Sequence, residues 1–126
     1  MSYRILIVDD SATIRAMVKR IIRMAGLEIE QLHEAANGKL ALDLLATTPV
    51  DLILADLNMP EMDGFEMTRR IHADPTLKQI PIIVISANPS AEDFARLQHV
   101  KGYLGKPFTP EGIRDAIARA LEVQHA

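Results

Sequence analysis

Short apolar runs alternate with helix-period segments along the whole chain, and this alternation constrains the fold more than any other feature. The runs have the length of strands, and apolar residues recur at helical spacing in the segments between them. Strands that alternate with helices are typical of a parallel sheet with crossover helices. The five predicted strands are Ile5–Asp9, Gln31–Ala35, Asp51–Asp56, Pro81–Ser86 and Gly102–Gly105.

The predicted strands differ in composition, and this difference predicts their order. The first, third and fourth are almost continuously apolar, as in Ile82–Ile85, which is typical of parallel strands covered by helices on both faces. The second and fifth are short and half polar, which suits the edges of a sheet. With right-handed crossovers, the order that places both outside is 2-1-3-4-5. The first and third strands are then neighbours, where open α/β sheets bind ligands beyond the carboxyl ends of their strands.

The helical segments carry boundary signals. Apolar residues between Ile14 and Ile22 follow the spacing of one buried helical stripe, and Gly26 suits the end of that helix. The last helix repeats the spacing. Side chains that can accept a hydrogen bond at a helix N-terminus precede the other four segments: Asn37, Asp63, Ser90 and Thr109. Ser90 together with Asp93 resembles a capping box.

Length and composition exclude several classes of protein. With 126 residues and 14.0 kDa, we expect one domain over residues 1–126. A net charge of −3 provides no excess of positive charge for nucleic acid, and the absence of cysteine excludes disulfides and thiolate metal sites. The longest apolar runs are strand-sized, and no signal-peptide pattern precedes the first strand. We therefore expect a soluble cytoplasmic protein without a membrane span.

Three carboxylates are expected at the carboxyl edge of the sheet. Asp9 and Asp10 end the first predicted strand, and Asp56 ends the third, on neighbouring strands about 4.8 Å apart. In a chain without thiolates or paired histidines, such a cluster favours a hard cation, and Mg²⁺ keeps waters that a phosphate can replace. The plainer alternative is that Asp9 and Asp10 cap the first helix while Asp56 only terminates a strand.

Two further polar residues follow strands on the other side of Asp56. Ser86 ends the fourth strand, where its hydroxyl can hydrogen-bond an oxygen carried on Asp56. Lys106 follows the fifth strand, two strand spacings away, so only a long side chain can bring its charge to the crevice. Pro107 restricts Lys106 to extended conformations. Turn chemistry at the serine and a solvated lysine are the plainer alternatives.

Four stretches extend this pattern: Ile7-Val8-Asp9-Asp10-Ser11 continuing to Thr13-Ile14-Arg15, Asp56-Leu57-Asn58-Met59-Pro60 continuing to Met62-Asp63-Gly64, Ser86-Ala87, and Lys106-Pro107-Phe108. Together, from Tyr3 to about Leu121, the chain resembles the receiver domains of two-component response regulators, and most closely the stand-alone chemotaxis type. Each stretch is weak alone, whereas all four in this order are specific. The resemblance implies a flavodoxin-like α/β fold, a (βα)5 doubly wound parallel sheet.

The resemblance also implies a role for each acidic residue. Asp56 would be the phosphoacceptor. Asp10 and Asp56 would ligate Mg²⁺ directly, Asp9 would assist through water, and the main-chain carbonyl of Asn58 would complete the set.

Three more residues receive roles from the resemblance. Ser86 and Lys106 would contact the phosphoryl oxygens. Tyr103 would be an aromatic switch residue that moves inward when the Ser86 hydroxyl is drawn toward the phosphoryl group. An edge-strand tyrosine with a solvated hydroxyl is the alternative.

The implied activity is signalling by a modified side chain. A sensor histidine kinase, or a small phosphodonor, would phosphorylate Asp56 in a Mg²⁺-dependent reaction, and hydrolysis would reset the protein. Such a chain is not an enzyme beyond its own phosphorylation and dephosphorylation. It would act as a monomer on a downstream target through helix 4, strand 5 and helix 5, in chemotaxis or flagellar control. A phosphorelay intermediate, or the receiver domain of a larger regulator, is the alternative.

The chain departs from the family pattern between Asn88 and Val100. This segment is shorter than in chemotaxis proteins, and His99-Val100-Lys101 replaces the Gly-Ala that usually precedes strand 5. We therefore expect a short or mobile helix 4. Because that helix belongs to the family's output face, the identity of the downstream partner does not carry over.

Rival functions fit less well. An aspartate-nucleophile phosphatase of the haloacid dehalogenase type has an Asp-x-Asp pattern after its first strand, whereas Asp9 and Asp10 are adjacent and Asp56-Leu57-Asn58 lacks a second acid. Flavin binding would need a glycine in the turn after the first strand. A pseudo-receiver would lack an acidic or lysine position, and none is missing.

Overall fold

Strands and helices alternate along the chain as predicted. In this computed structural model the described residues are 2–86, 90–97, 100–105 and 109–125, without the side chains of 91, 94 and 122–125. The strands are β1 (Tyr3–Val8), β2 (Ile29–Ala35), β3 (Leu52–Asp56), β4 (Ile82–Ser86) and β5 (Gly102–Gly105). The helices are α1 (Ala12–Met24), α2 (Gly38–Leu45), α3 (Gly64–Ala73), α4 (Ala91–Arg96) and α5 (Pro110–His125).

The strands form one parallel sheet in the order β2-β1-β3-β4-β5, which confirms the predicted order. The register places Val8 opposite Ala55 and Asp56 opposite Ile85. The carboxyl ends of β1 and β3 therefore lie side by side at the centre of the sheet, and β4 ends beside them.

Buried side chains form two clusters, one on each face of the sheet. One cluster joins alternate residues of β1, β3 and β4 to α2 and α3, and the other joins the intervening residues to α1 and α5. The central strands are thus covered on both faces, which explains their continuous apolar runs. Burial of one such aliphatic side chain stabilises the fold by about 1.5–3 kcal/mol.

The helices begin at capping side chains. Each predicted cap accepts a hydrogen bond from the main-chain N–H three residues later: Asn37 from Leu40, Asp63 from Glu66, Ser90 from Asp93 and Thr109 from Gly112. The carboxylate of Asp93 accepts in return from the N–H of Ser90, which confirms the predicted capping box. Gly26, whose φ is 81°, directly follows Ala25, the C-cap residue of α1, as predicted for the end of that helix.

The expectation of a short fourth helix is confirmed, because α4 has 6 residues. β5 is also short, with 4 residues, of which none is fully buried. Within the described ranges, no helix has the length and apolar character needed to cross a membrane.

Candidate functional site

The structure brings the carboxylates of Asp9, Asp10 and Asp56 together at the carboxyl edge of β1 and β3. One oxygen from each lies within 4.8 Å of the others. The two aspartates that follow β1 and the one that ends β3 converge because the strands are parallel neighbours in register. The alternative in which Asp9 and Asp10 cap α1 is wrong, since the N-cap is Ser11, whose side chain accepts from the N–H of Ile14 at 3.2 Å.

The three carboxylates differ in exposure. Asp9 is buried, and its Oδ1 accepts a hydrogen bond from the N–H of Ser11 at 2.9 Å. Asp56 is half-buried, and its Oδ1 accepts from the N–H of Leu57 at 2.9 Å. Asp10 is exposed. The two more accessible carboxylates are therefore those that the resemblance assigns as direct metal ligands.

The cluster fits a magnesium ion by its chemistry. All three side chains offer carboxylate oxygens, the hard donors that Mg²⁺ prefers, and their mutual repulsion favours a cation between them. Opposite ligands of one Mg²⁺ ion lie about 4.2 Å apart, because each oxygen is about 2.1 Å from the metal. The 4.8 Å limit on the separations of the three carboxylate oxygens is close to this value, so the cluster has the dimensions of a site for one Mg²⁺ ion.

The loop between β3 and α3 folds tightly against Asp56. The N–H of Gly64 donates to the carbonyl of Leu57 at 2.9 Å. A Cβ atom at Gly64 would lie only 2.4 Å from the main-chain oxygen of Asp56. This contact between main chains requires glycine, and the sequence alone gave no reason for it.

Asn58 lies in this loop, two residues beyond Asp56, and is exposed. The loop is also tied to α2, because the N–H of Gly38 donates to the carbonyl of Met62 at 2.9 Å. Asn58 thus lies on a segment that is bonded to α3 at Leu57 and to α2 at Met62. The assignment of its carbonyl as a metal ligand stays a prediction.

Ser86 and Tyr103 are connected on the other side of the cluster. Ser86 is buried at the end of β4, one residue beyond the register partner of Asp56. The hydroxyl of Tyr103 donates to the main-chain carbonyl of Ser86 at 2.7 Å, and its ring packs against the core. The alternative of an edge-strand tyrosine whose hydroxyl is only solvated is therefore wrong, whereas the switch role of Tyr103 stays a prediction.

Some predicted residues lie outside the described part of the chain. These are Ala87, Asn88, Pro89, His99, Lys106, Pro107 and Phe108. β5 ends at Gly105, so Lys106 follows it directly in sequence. The role of the lysine stays a prediction.

An ion-pair network beside the cluster was missed by the sequence analysis. The guanidinium of Arg15 donates to the main-chain carbonyl of Asp9, and its Nε donates to Oε1 of Glu34 at 3.0 Å. Lys19 donates to Oε2 of Glu34 at 2.8 Å. The hydrogen bond from Lys19 foremost, and then that from Arg15, hold the pKa of Glu34 below its usual value, although partial burial opposes this. Arg15 belongs to the first of the stretches that resemble receiver domains, but the sequence spacing between Arg15, Lys19 and Glu34 did not indicate that they form ion pairs.

The chain is similar to known proteins over nearly its whole length. The family model for the response regulator receiver domain matches residues 5–118. The chemotaxis protein CheY-3 of Vibrio cholerae serotype O1 is 36% identical over 121 residues, which cover 94% of this chain and 92% of the relative.

Solved structures show the same likeness. The chemotaxis protein CheY4 of Vibrio cholerae superposes with a TM-score of 0.85 at 33% identity, over 96% of this chain and 100% of that one. The receiver domain of the sensor histidine kinase PA1611 from Pseudomonas aeruginosa PAO1, solved with a magnesium ion coordinated in its active site cleft, superposes with a TM-score of 0.83 at 27% identity, over 97% and 99%. The fold is therefore the flavodoxin-like one, and the chain belongs to the receiver domains of response regulators.

Proposed function

We propose that this chain is a phosphoryl-accepting response regulator in which Asp56 receives a phosphoryl group from the phosphohistidine of a sensor histidine kinase. The observation that carries the proposal is the meeting of Asp9, Asp10 and Asp56 within 4.8 Å at one edge of the sheet. A nucleophilic carboxylate beside two further carboxylates suits a phosphoryl transfer that depends on a divalent cation.

The transfer needs mainly alignment and neutralisation of charge. An oxygen of Asp56 attacks phosphorus while the bond to the histidine nitrogen breaks and the imidazole leaves. The hydrogen bond from the N–H of Leu57 to Oδ1 orients the Asp56 carboxylate for this attack. Asp10, Asp56 and the carbonyl of Asn58 would hold Mg²⁺, with Asp9 acting through water. When bound, Mg²⁺ supplies positive charge for the phosphoryl oxygens and the clustered carboxylates.

Modification of Asp56 adds roughly one negative charge and three acceptor oxygens. We assign the Ser86 hydroxyl and the Lys106 ammonium as partners of those oxygens. An ion pair contributes about 4 kcal/mol at an effective dielectric constant of 20, and a hydrogen bond to a charged group about 1.5–3 kcal/mol. A shift from 1:99 to 99:1 between two states takes about 5.5 kcal/mol, so the two contacts are of the required size.

The proposed readout is the Tyr103 hydrogen bond. In this proposal the hydroxyl of Ser86 binds the phosphoryl group, while its carbonyl accepts the hydrogen bond from Tyr103. A movement of Ser86 would therefore change the hydrogen bond to the Tyr103 hydroxyl. Tyr103 lies on β5, between α4 and α5 along the chain. We therefore assign α4, β5 and α5 as the surface that binds a downstream target. The names of the chemotaxis relatives support a role in chemotaxis or flagellar control. We further propose that the chain acts as a cytoplasmic monomer.

A phosphorelay role is the second candidate, favoured by the likeness to the receiver domain of the sensor histidine kinase PA1611. A relay intermediate would pass its phosphoryl group on to a second histidine. Incubation of the phosphorylated chain with candidate histidine phosphotransfer proteins separates the two, because transfer supports the relay and simple hydrolysis supports the chemotaxis type.

The substitution Asp56→Asn tests the proposal. We expect labelled acetyl phosphate with Mg²⁺ to modify the parent and not the variant, and chelation of the cation to abolish modification of the parent. Asp43→Asn, the same change at an exposed position of α2, is the matched control and keeps full incorporation. Equal labelling of Asp56→Asn and the parent contradicts the assignment. A separate binding experiment identifies the output partner: a downstream target should bind the parent only when Mg²⁺ and beryllofluoride, which mimics the phosphoryl group, are present.

A further inference from the structure

One side chain, Arg15, joins three parts of the molecule beside the carboxylate cluster. It lies in the first turn of α1, and its guanidinium contacts the main-chain carbonyl of Asp9 and the carboxylate of Glu34 on β2. The side chain of Arg15 is only 16% exposed. It therefore ties α1 and β2 to the segment that carries two of the three clustered carboxylates.

The contacted carbonyl belongs to the peptide bond between Asp9 and Asp10. It precedes the N-cap Ser11, so it lies outside the hydrogen-bond ladder of α1. Because a peptide unit is planar, a fixed carbonyl also fixes the N–H and the Cα position of Asp10. The directions in which both side chains leave the main chain thus depend on this hydrogen bond, together with the bond from the Asp9 N–H to the carbonyl of Ala35 at 3.1 Å and that from the Ser11 N–H to Oδ1 of Asp9.

Glu34 holds the guanidinium in place from β2. Its two oxygens are shared between Arg15, at 3.0 Å, and Lys19, at 2.8 Å. Both cations stabilise the ionised form of this carboxylate, so a fixed anion faces the guanidinium at neutral pH. Lys19 completes the network, and among the described residues its side chain donates a hydrogen bond to Glu34 alone.

We propose that Arg15 is a positioning residue for the metal site, which holds the Asp9–Asp10 peptide so that both carboxylates face Asp56. The inference rests on the proposed function, since it assigns the same cluster to Mg²⁺. Charge alone would have the opposite effect, because a guanidinium near the site repels a cation and its removal would tighten binding. A positioning role gives weaker binding on removal, so the sign of the change separates the two.

Calorimetric titration of the unphosphorylated chain with Mg²⁺ alone provides the test. We expect Arg15→Met to weaken Mg²⁺ binding about tenfold, as for other residues that orient metal ligands. Lys19→Met is the matched control, because it removes the same charge and another Glu34 partner, and we expect a change of less than about twofold. Unchanged or tighter binding in Arg15→Met overturns the proposal, as does equal weakening in Lys19→Met.

Arg15→Lys supplies a second, independent comparison. Lysine keeps the charge but lacks the planar fork that reaches Glu34 and the Asp9 carbonyl together, so we expect binding to stay several-fold weaker than in the parent. Binding as tight as in the parent overturns the proposal, since the guanidinium fork that contacts Glu34 and the Asp9 carbonyl together would then not be needed. Thermal unfolding of each variant is followed in parallel, and Arg15→Lys decides alone if Arg15→Met does not fold. Failure of the parent to accept a phosphoryl group while it binds Mg²⁺ would refute the proposed function and leave the Mg²⁺ comparison intact.

Discussion

The two sides of the candidate site are built differently. We name the segments at residues 9–11 and 57–64 the anchored side, and the described residues of α4 and β5 the open side. On the anchored side, main-chain groups are fixed by Ser11, Arg15, Gly38 and Gly64. On the open side, α4 has 6 residues and β5 has 4, and the strand is nowhere fully buried.

Among the described residues, the open side is held by the capping box of α4, the pairing of β5 with β4 and two further side-chain contacts. The guanidinium of Arg96 in α4 lies 3.8 Å from the centre of the Phe65 ring, and Tyr103 donates to the carbonyl of Ser86. Segments with few buried contacts open at lower free energy than the core. The comparison indicates that the site combines a rigid segment, which holds the carboxylates, with a neighbouring segment whose rearrangement costs little free energy.

Glycine-to-alanine substitutions are expected to give the largest difference in unfolding free energy between the anchored side and the open side. Gly64→Ala places a Cβ 2.4 Å from the main-chain oxygen of Asp56, so we expect a loss of about 3 kcal/mol in unfolding free energy. Gly105→Ala on the open side meets its nearest atom, of Tyr103, only at 4.0 Å, and we expect a change within about 0.5 kcal/mol. Urea denaturation measures both, and similar losses would remove the contrast.

Removal of two helix caps compares α2, which holds the anchored side through the bond from the Gly38 N–H to the Met62 carbonyl, with α4 on the open side. Asn37, which caps α2, is buried, so we expect Asn37→Ala to lower the unfolding free energy by about 1–2 kcal/mol. Ser90, which caps α4, is exposed, and Ser90→Ala should speed hydrogen exchange in α4 with a global loss of at most about 0.5 kcal/mol. A larger global loss in Ser90→Ala would show that α4 unfolds with the core.

The Tyr103 hydroxyl measures how firmly β5 is held. Tyr103→Phe removes a half-buried hydrogen bond of 2.7 Å while keeping the ring, and we expect a loss of about 1 kcal/mol. Tyr3→Phe is the control, because Tyr3 carries the same ring at the start of β1. Chemical denaturation of both variants gives the comparison, and no loss in Tyr103→Phe would mean that the bond does not restrain β5.

The smallest expected effect depends on pH and lies where β1 and β3 begin, at the end of the sheet opposite to the candidate site. Hydrogen bonds from the side chain of Arg4, foremost among the causes, hold the pKa of Asp51 below its usual value of 3.8, against the effect of partial burial. A lowered folded-state pKa stabilises the protein above the unfolded value, and this contribution is lost as the pH falls. The charge-dependent part of the stability difference between the parent and Asp51→Asn should therefore be full above the unfolded pKa of about 4 and decrease progressively as the pH falls toward the lower folded-state pKa.

Thermal unfolding between acid and neutral pH checks this prediction. Glu30→Gln is the matched control, because its carboxylate lies 4.0 Å from Nε of Arg4, whereas the Asp51 carboxylate lies 3.1 Å from Nη2. We expect the control to shift the unfolding midpoint less at neutral pH. A difference for Asp51→Asn that grows as the pH falls would have the wrong sign.

The sheet and its helices could be predicted because their signals are local. Continuous apolar runs identified the central strands, and Asn37, Asp63, Ser90 and Thr109 identified helix starts because capping is a contact between residues three apart. The meeting of the carboxylates followed from topology, since parallel neighbours place their carboxyl ends at one edge.

The rest depends on contacts between distant segments. Arg15 and Glu34 are 19 residues apart, and their pairing exists only once α1 packs beside β2. Gly64 belongs to one of the stretches that carry the family resemblance, but the approach of one main chain to another that requires glycine there is visible only in the structure. The acceptor for Tyr103, 17 residues away, is a main-chain carbonyl, and every residue offers one.

The loop that follows Asp56 is closed at both ends by main-chain hydrogen bonds and contains Glu61 with φ of 68°. Such a segment has little conformational entropy left to lose when another protein docks over it. Under the proposed function, a kinase domain that carries a phosphohistidine would bind a loop whose conformation is set before the two proteins meet. Selectivity between partners would then depend on how well the surface of each partner fits this loop, because the loop itself would change its conformation little on binding.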